Sequence, residues 1–204
     1  MNLEHENQDQ MLKADAAAFL EILRSRRSIG PKRLVAPGPT SDQLAEIIAA
    51  GLTAPDHGLL RPWRFIRIPD AKRPVLAELF AEEKRLAHPD ATETEIETER
   101  ARAFNAPVVI AVMSVLTENL PKVPVHEQYI SLGAAVQNIL LAAHALGFGA
   151  IMTSGRKIEA ALLQDAFRRT SSERLVGFLS IGTPTRPPKA RVPVALGDCF
   201  TDWD

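Results

Sequence analysis

The sequence predicts an α+β fold: a small mixed or antiparallel sheet enclosed by helices, built around one long central helix. Three observations carry this reading. Two or more helical segments fall between successive predicted strands, which is not the βαβ rhythm of a doubly wound parallel sheet. Residues 125–146 form the longest helical pattern and are apolar on several faces, as befits a helix in the middle of a fold or a dimer. Residues 107–116 are short and rich in Val and Ile, the pattern of a buried central strand.

The first residues offer little to bury, so residues 1–15 read as a flexible tail and 16–204 as a single domain. Phe19, Leu20, Ile22 and Leu23 recur at helical spacing within 16–27, a segment that ends in a basic cluster. Gly30, Pro31, Pro37, Gly38 and Pro39 make 29–39 a loop. Thr40 or Ser41 then caps a helix to about residue 53, with Leu44, Ile47, Ile48 and Leu52 on one face. Ala54-Pro55-Asp56-His57-Gly58 breaks it, and large apolar residues alternate through a strand at 63–68.

Helices follow at 71–87 and 93–103, the second so dense in Glu and Arg that it reads as a solvated face. Within the long helix, Gly133, Ala134 and Ala135 would let another helix come close. Gly147-Phe148-Gly149 ends it, a short strand starts at 150–152, and a helix covers 158–167. A strand at 174–181 runs into Gly182-Thr183-Pro184, and the proline-rich tail from 186 is expected to lie over a neighbouring subunit.

Composition excludes several classes. Net charge is −1, with 24 basic against 25 acidic residues, so no broad surface for nucleic acid or anionic membrane is expected. No apolar run reaches the length of a membrane span. The single cysteine, Cys199, allows neither an intrachain disulfide nor a cysteine-rich zinc site, and it has no nearby histidine to make it a nucleophile. A reducing, cytoplasmic setting fits best. His126 and His144 lie 18 residues apart and make no metal-spacing motif, so no metal site is expected.

Three segments could carry chemistry. Arg26-Arg27-Ser28, followed by Lys32 and Arg33, offers guanidinium forks and a hydroxyl at a helix-to-loop junction, suited to a phosphate monoester. The same cluster would also complement an ordinary helix C-terminus. His57, just past a helix break and close to Trp63, could donate to a planar heterocycle, or the segment could be a plain turn beside core aromatics. Met152-Thr153-Ser154-Gly155-Arg156-Lys157 sits between a strand and a helix, where hydroxyls, backbone N–H groups and cations can hold an anion or carbonyl. A simple helix cap would use the same residues.

Taken in order, these segments resemble the nitroreductase family, and in particular its compact branch. The resemblance rests on Arg26-Arg27-Ser28, Pro39-Thr40 with Gln43-Leu44, and Ala50-Gly51 through Ala54-Pro55-Asp56-His57. It continues through Pro62-Trp63-x-Phe65, Ala106-Pro107, Lys122-Val123-Pro124 with Glu127-Gln128, and Gly147-Phe148-Gly149. Ile151, Ser154-Gly155 and Val176-Gly177-Phe178-Leu179 with Ile181-Gly182-Thr183-Pro184 complete it, over about residues 17–185.

The family implies a homodimer with FMN at the subunit interface, reduced by NADH or NADPH and reoxidised by a small-molecule acceptor such as a nitroaromatic, quinone or enone. The resemblance assigns Arg26, Arg27 and Ser28 to the FMN phosphate and ribityl chain. It assigns Thr53 and His57 to a second FMN-binding segment reaching in from the partner, and Met152, Thr153 and Ser154 to a third. No side chain is expected to act as acid or base, because hydride chemistry belongs to the flavin. Two positions depart from the pattern: compact relatives carry Arg where Thr53 stands and Trp-Arg where Met152-Thr153 stands. Each lost charge-assisted hydrogen bond is worth about 1.5–3 kcal/mol. The loop over 28–39 is also about two residues longer than its counterpart. An FMN-binding or carrier protein with little turnover, another flavin reaction on the same fold, and a ligand-free helical interaction protein are the competing readings.

Overall fold

The computed structural model describes residues 2–188, 190 and 192–203, with side chains from residue 12 onward. Helix α1 (Asn2–Ser25) leads, and α2 (Ser41–Gly51), α3 (Arg73–Ala87), α4 (Glu93–Ala101), α5 (Val125–Ala145) and α6 (Ala161–Phe167) follow. The strands are β1 (Leu34–Val35), β2 (Trp63–Arg67), β3 (Val108–Val115), β4 (Gly149–Thr153) and β5 (Glu173–Pro184). All strand pairings are antiparallel: β3 lies between β2 and β5, and β5 also pairs with β4 and, at its C-terminal end, with β1. The α+β expectation holds, with the sheet wholly antiparallel apart from one parallel bridge between Ser28 and Ala150.

Successive strand residues point to opposite faces, and β3 uses both. Val108, Ile110 and Val112 join Leu179 and Ile181 beneath Ile47 of α2 and Ile139 of α5. Val109, Ala111 and Met113 join Leu175 and Phe178 on the other side, beneath Leu76 and Phe80 of α3 and Leu163 of α6. A strand buried on both faces loses its polar alternation, which explains the continuous apolar run. Phe178 is met edge-on by Phe80 and Phe167, each with ring centroids 5.6 Å away.

Helix α2 begins at a capping box in which Thr40 and Gln43 satisfy each other's backbone N–H groups. Its last residue makes the close approach to α5: a Cβ at Gly51 would lie 2.6 Å from Ile139 Cγ1. Of the small residues on α5, Ala135 faces this approach, its O 3.2 Å from the same Cβ position, while among the described residues nothing lies within 4 Å of a Cβ at Gly133. A two-pronged ion pair ties β2 to β5, with Arg64 Nε 2.8 Å from Glu173 Oε1 and Arg64 Nη2 2.5 Å from Oε2.

Three elements differ from expectation. Backbone helix runs back to Asn2, through the residues 1–15 read as a flexible tail; the alanine-rich stretch at 14–18 favours helix strongly. The proline-rich loop contains β1, recognisable only through its partners Thr183 and Pro184. Ile158 lies in a short 3-10 turn (Arg156–Glu159), so α6 starts later than predicted. Among the described residues of the tail, Leu196–Asp198 form a helical turn, and Trp203 is fully exposed in the single chain. Among the described residues no helix is long and apolar enough to cross a membrane.

Candidate functional site

Two recesses lie at opposite ends of β4. Four residue steps of an extended strand separate Gly149 from Thr153, about 13 Å. The link between them is the bridge from Ser28 to Ala150, extended by Ile29 N–H donating to Ala150 O at 3.2 Å. That pairing carries the Arg26–Ser28 segment alongside the strand that ends at Met152-Thr153-Ser154. Two of the three candidate segments, far apart in sequence, are thereby brought together.

The first recess, about 170 Å³, is lined by Arg26, Arg27 and His144 together with Gly147, Gly149 and Pro188. Arg27 Nη1 donates to Arg26 O at 2.9 Å and also to Arg24 O. Its Nε is buried and has no hydrogen-bond partner among the described residues. Ser25 Oγ lies 2.6 Å from Glu21 O and 2.9 Å from His144 Nε2. Burial, and then the charges of Arg26 and Arg27, hold the His144 imidazole below its ordinary range. Ser28 itself is exposed.

The second recess, about 420 Å³, opens between the loop Gly30–Arg33, α3 and the end of β4, with Thr153, Ser154 and Lys157 on its wall. Thr153 Oγ donates to Phe178 O at 3.3 Å, while Ser154 is exposed. Lys157 Nζ sits 3.9 Å from the Phe80 ring centroid and 3.3 Å from Glu99 Oε2. Burial pulls this ammonium below its ordinary range, with Glu99 opposing the shift. Arg102 holds the other Glu99 oxygen at 3.0 Å. Glu99 thus pairs with two residues of the recess wall from behind, although the charge-rich segment reads in sequence as a solvated face. Arg33 Nε, on the opposite wall, is buried without a hydrogen-bond partner among the described residues.

Met152 stands apart from this group: alternation along β4 turns its side chain into the core shared by α2 and α5. Thr53 and His57 line neither recess. The Thr53 hydroxyl donates to Ala50 O at 2.8 Å, and Asn138 Nδ2 reaches it from α5 at 3.4 Å. His57 Nδ1 lies 2.8 Å from Glu127 Oε2. The turn carrying His57 is strained, with Leu59 at φ 54° and Arg61 at φ 49°, both left-handed. Asp56 pins it by accepting Arg61 N–H at 2.6 Å. Such strain costs about 1–3 kcal/mol per residue and clusters where a segment has a task.

Sequence reasoning missed His144, Glu127, Glu99 and Lys157's ring contact. His144 and Glu127 find their partners 119 and 70 residues away, so neither pairing can be read from local spacing, although Glu127 lies in a segment that carries the resemblance. Among the described residues no group of three or more His, Cys, Asp or Glu could hold a metal ion.

An antiparallel sheet sandwiched by helices, with basic residues lining recesses at both ends of one strand, defines the α+β architecture of this chain. The chain belongs to the nitroreductase family, which it matches over residues 23–183. It is 39% identical over 165 residues to the Escherichia coli K12 protein named "Putative NAD(P)H nitroreductase YdjA", covering 81% of this chain and 87% of that one. The fold is similar to a nitroreductase-like family protein from Bacillus cereus, with TM-score 0.73 and 23% identity over 91% of this chain and 96% of that one. It is also similar to a "putative nitroreductase in complex with fmn" from Desulfovibrio desulfuricans, with TM-score 0.66 and 27% identity over 91% and 96% of the two chains.

Proposed function

We propose that this chain is a cytoplasmic, homodimeric FMN-dependent oxidoreductase that passes electrons from NADH or NADPH to a small organic acceptor, a nitroaromatic, quinone or enone. The observation that carries the reading is the pair of recesses on β4, each with a buried guanidinium nitrogen in need of an acceptor: Arg27 Nε at one end and Arg33 Nε at the other. An unsatisfied buried donor is costly, and an anionic or carbonyl-rich ligand supplies what it lacks. Family membership and the FMN named with the Desulfovibrio desulfuricans structure support the choice of ligand.

Arg26, Arg27 and Ser28 would hold the phosphate and ribityl end. Thr153, Ser154, Arg33 and Lys157 would line the ring end, and Phe80 and Ile158 would keep water from it. When bound, FMN supplies the hydride chemistry, and the protein sets its position and charge environment. Thr53 and His57 lie on the α2–α5 side and would reach the partner's flavin. Donor and acceptor would use one opening in turn, giving ping-pong kinetics.

Two observations favour a second reading, an FMN-binding or carrier protein with little turnover. Met152 turns into the core, and the Thr53 hydroxyl is already spent on Ala50 O. The absorption spectrum of the purified protein, followed by NAD(P)H oxidation with several acceptors, separates the two. Bound flavin that is never reduced favours the carrier. No flavin uptake and no NAD(P)H oxidation after FMN is added overturns both.

A further inference from the structure

His144 stands in the last turn of α5, in a recess whose titratable residues, among those described, are itself, Arg26 and Arg27. It is faced by the Ser25 hydroxyl at the end of α1 and by the two guanidiniums just after it. What β4, the end of β5 and the segment after it bring to the recess (Gly149, Ala150, Pro184 and Pro188) does not titrate, and α2 contributes nothing to its wall. Among the described residues no carboxylate lines it.

The hydrogen bonds fix the tautomer. Ser25 has one hydroxyl proton, and Glu21 O at 2.6 Å can only accept it. The oxygen must therefore accept in turn from His144 Nε2–H at 2.9 Å. Neutral His144 is then the Nε2–H tautomer, and Nδ1 is the nitrogen that takes up a proton. Two influences oppose each other at that nitrogen. The C-terminal end of α5 favours an imidazolium, while burial and the paired guanidiniums resist it. An anion seated between the guanidiniums cancels their repulsion and adds an attraction of its own.

We propose that His144 is the proton-linked third member of an anion site formed with Arg26 and Arg27, so that a phosphate monoester binding there draws a proton onto His144. The identity of the anion as the phosphate of FMN rests on the proposed function; the site and its linkage do not. By reciprocity, whatever binds with proton uptake binds more tightly at lower pH. One proton taken up makes the affinity fall by as much as about tenfold per pH unit across the window between the two midpoints.

The test follows the histidine ring protons of the full chain by NMR through pH 5–9, without and with saturating inorganic phosphate, His144 being assigned by H144Q. Glutamine keeps a donor for Ser25 and cannot titrate. The His144 midpoint is expected to rise by about one pH unit or more in phosphate, each unit being a tenfold change in the linked affinity. FMN affinity, measured by flavin fluorescence, is expected to weaken with pH above the second phosphate ionisation near about 6 in the wild type and to lose that slope in H144Q. A midpoint unmoved by phosphate, or a slope that H144Q retains, overturns the proposal. A midpoint that moves with phosphate in a protein that takes up no FMN upholds the anion site and removes the flavin reading instead.

Discussion

Glu127 reaches from the first turn of α5 to His57, its Oε2 2.8 Å from the ring Nδ1, and so ties the strained turn after α2 to the long helix. The contact orients the imidazole, because a carboxylate on Nδ1 leaves Nε2 as the outward nitrogen. The pair is substantially exposed, with side chains 59% and 37% accessible, so it contributes at most about 1 kcal/mol to stability.

The first prediction follows from that asymmetry. H57A and E127A should leave the urea midpoint nearly unchanged and weaken FMN binding. In the double variant the two losses should not add, since both remove one oriented ring. Flavin fluorescence titration measures them, and fully additive losses would break the link between Glu127 and His57.

At the α2–α5 crossing, Gly51 has no room for a side chain. Alanine would gain up to about 1 kcal/mol in helix propensity. Its Cβ, 2.6 Å from Ile139 Cγ1 and 3.2 Å from Ala135 O, would force the helices apart at a cost of about 1–3 kcal/mol. G51A should therefore lower the denaturation midpoint. Adding I139V, which trims Ile139, should recover part of the loss, and an unaltered G51A midpoint would show that the crossing has slack.

Glu173 makes stability depend on pH. Its carboxyl accepts both arms of Arg64 and the Arg169 N–H, and these hold it below the usual carboxylate range. The unfolded chain then binds more protons than the folded one, so stability rises with pH. The contribution is complete above the unfolded value of about 4.3 and disappears as pH falls through the folded one. E173Q should cost about 3 kcal/mol at pH 7, because Arg64 is left without its anion in a mostly buried site. Its denaturation midpoint should also fall less steeply than that of the wild type below pH 5.

Much of this architecture is legible in the sequence because it depends on local periodicity. The two faces of β3, the amphipathic α2 and its Thr40 cap, and the all-round apolar α5 each follow from residue spacing. Strand β1 does not, since two residues in a proline-rich loop become a strand only when Thr183 and Pro184 lie beside them. The same distinction divides the site. Arg26–Ser28 and Thr153-Ser154 are marked by composition, while His144 and Glu127 are ordinary helix residues until a distant serine or histidine meets them. Met152 shows the limit of reading a run of residues as one unit, because strand alternation sends it and Thr153 to opposite faces.

The last prediction concerns the outer face of α5. Ile130 is 68% exposed and lies one turn from Gly133, where no described residue lies within 4 Å of a Cβ. Phe200 and Trp203 of the tail are likewise uncovered in the single chain. Under the proposed function a second copy covers this face, and its His57 and Thr53 complete each flavin site. Placing a carboxylate there as I130E would bury an unpaired charge, which a dimer interface does not tolerate. The wild type should therefore sediment as a dimer and I130E as a folded monomer, shown by a retained circular dichroism spectrum. FMN affinity should fall together with the dimer, because neither Thr53 nor His57 lines a recess of its own chain. A monomeric I130E that binds FMN as tightly as the wild type would mean that one chain holds the flavin alone.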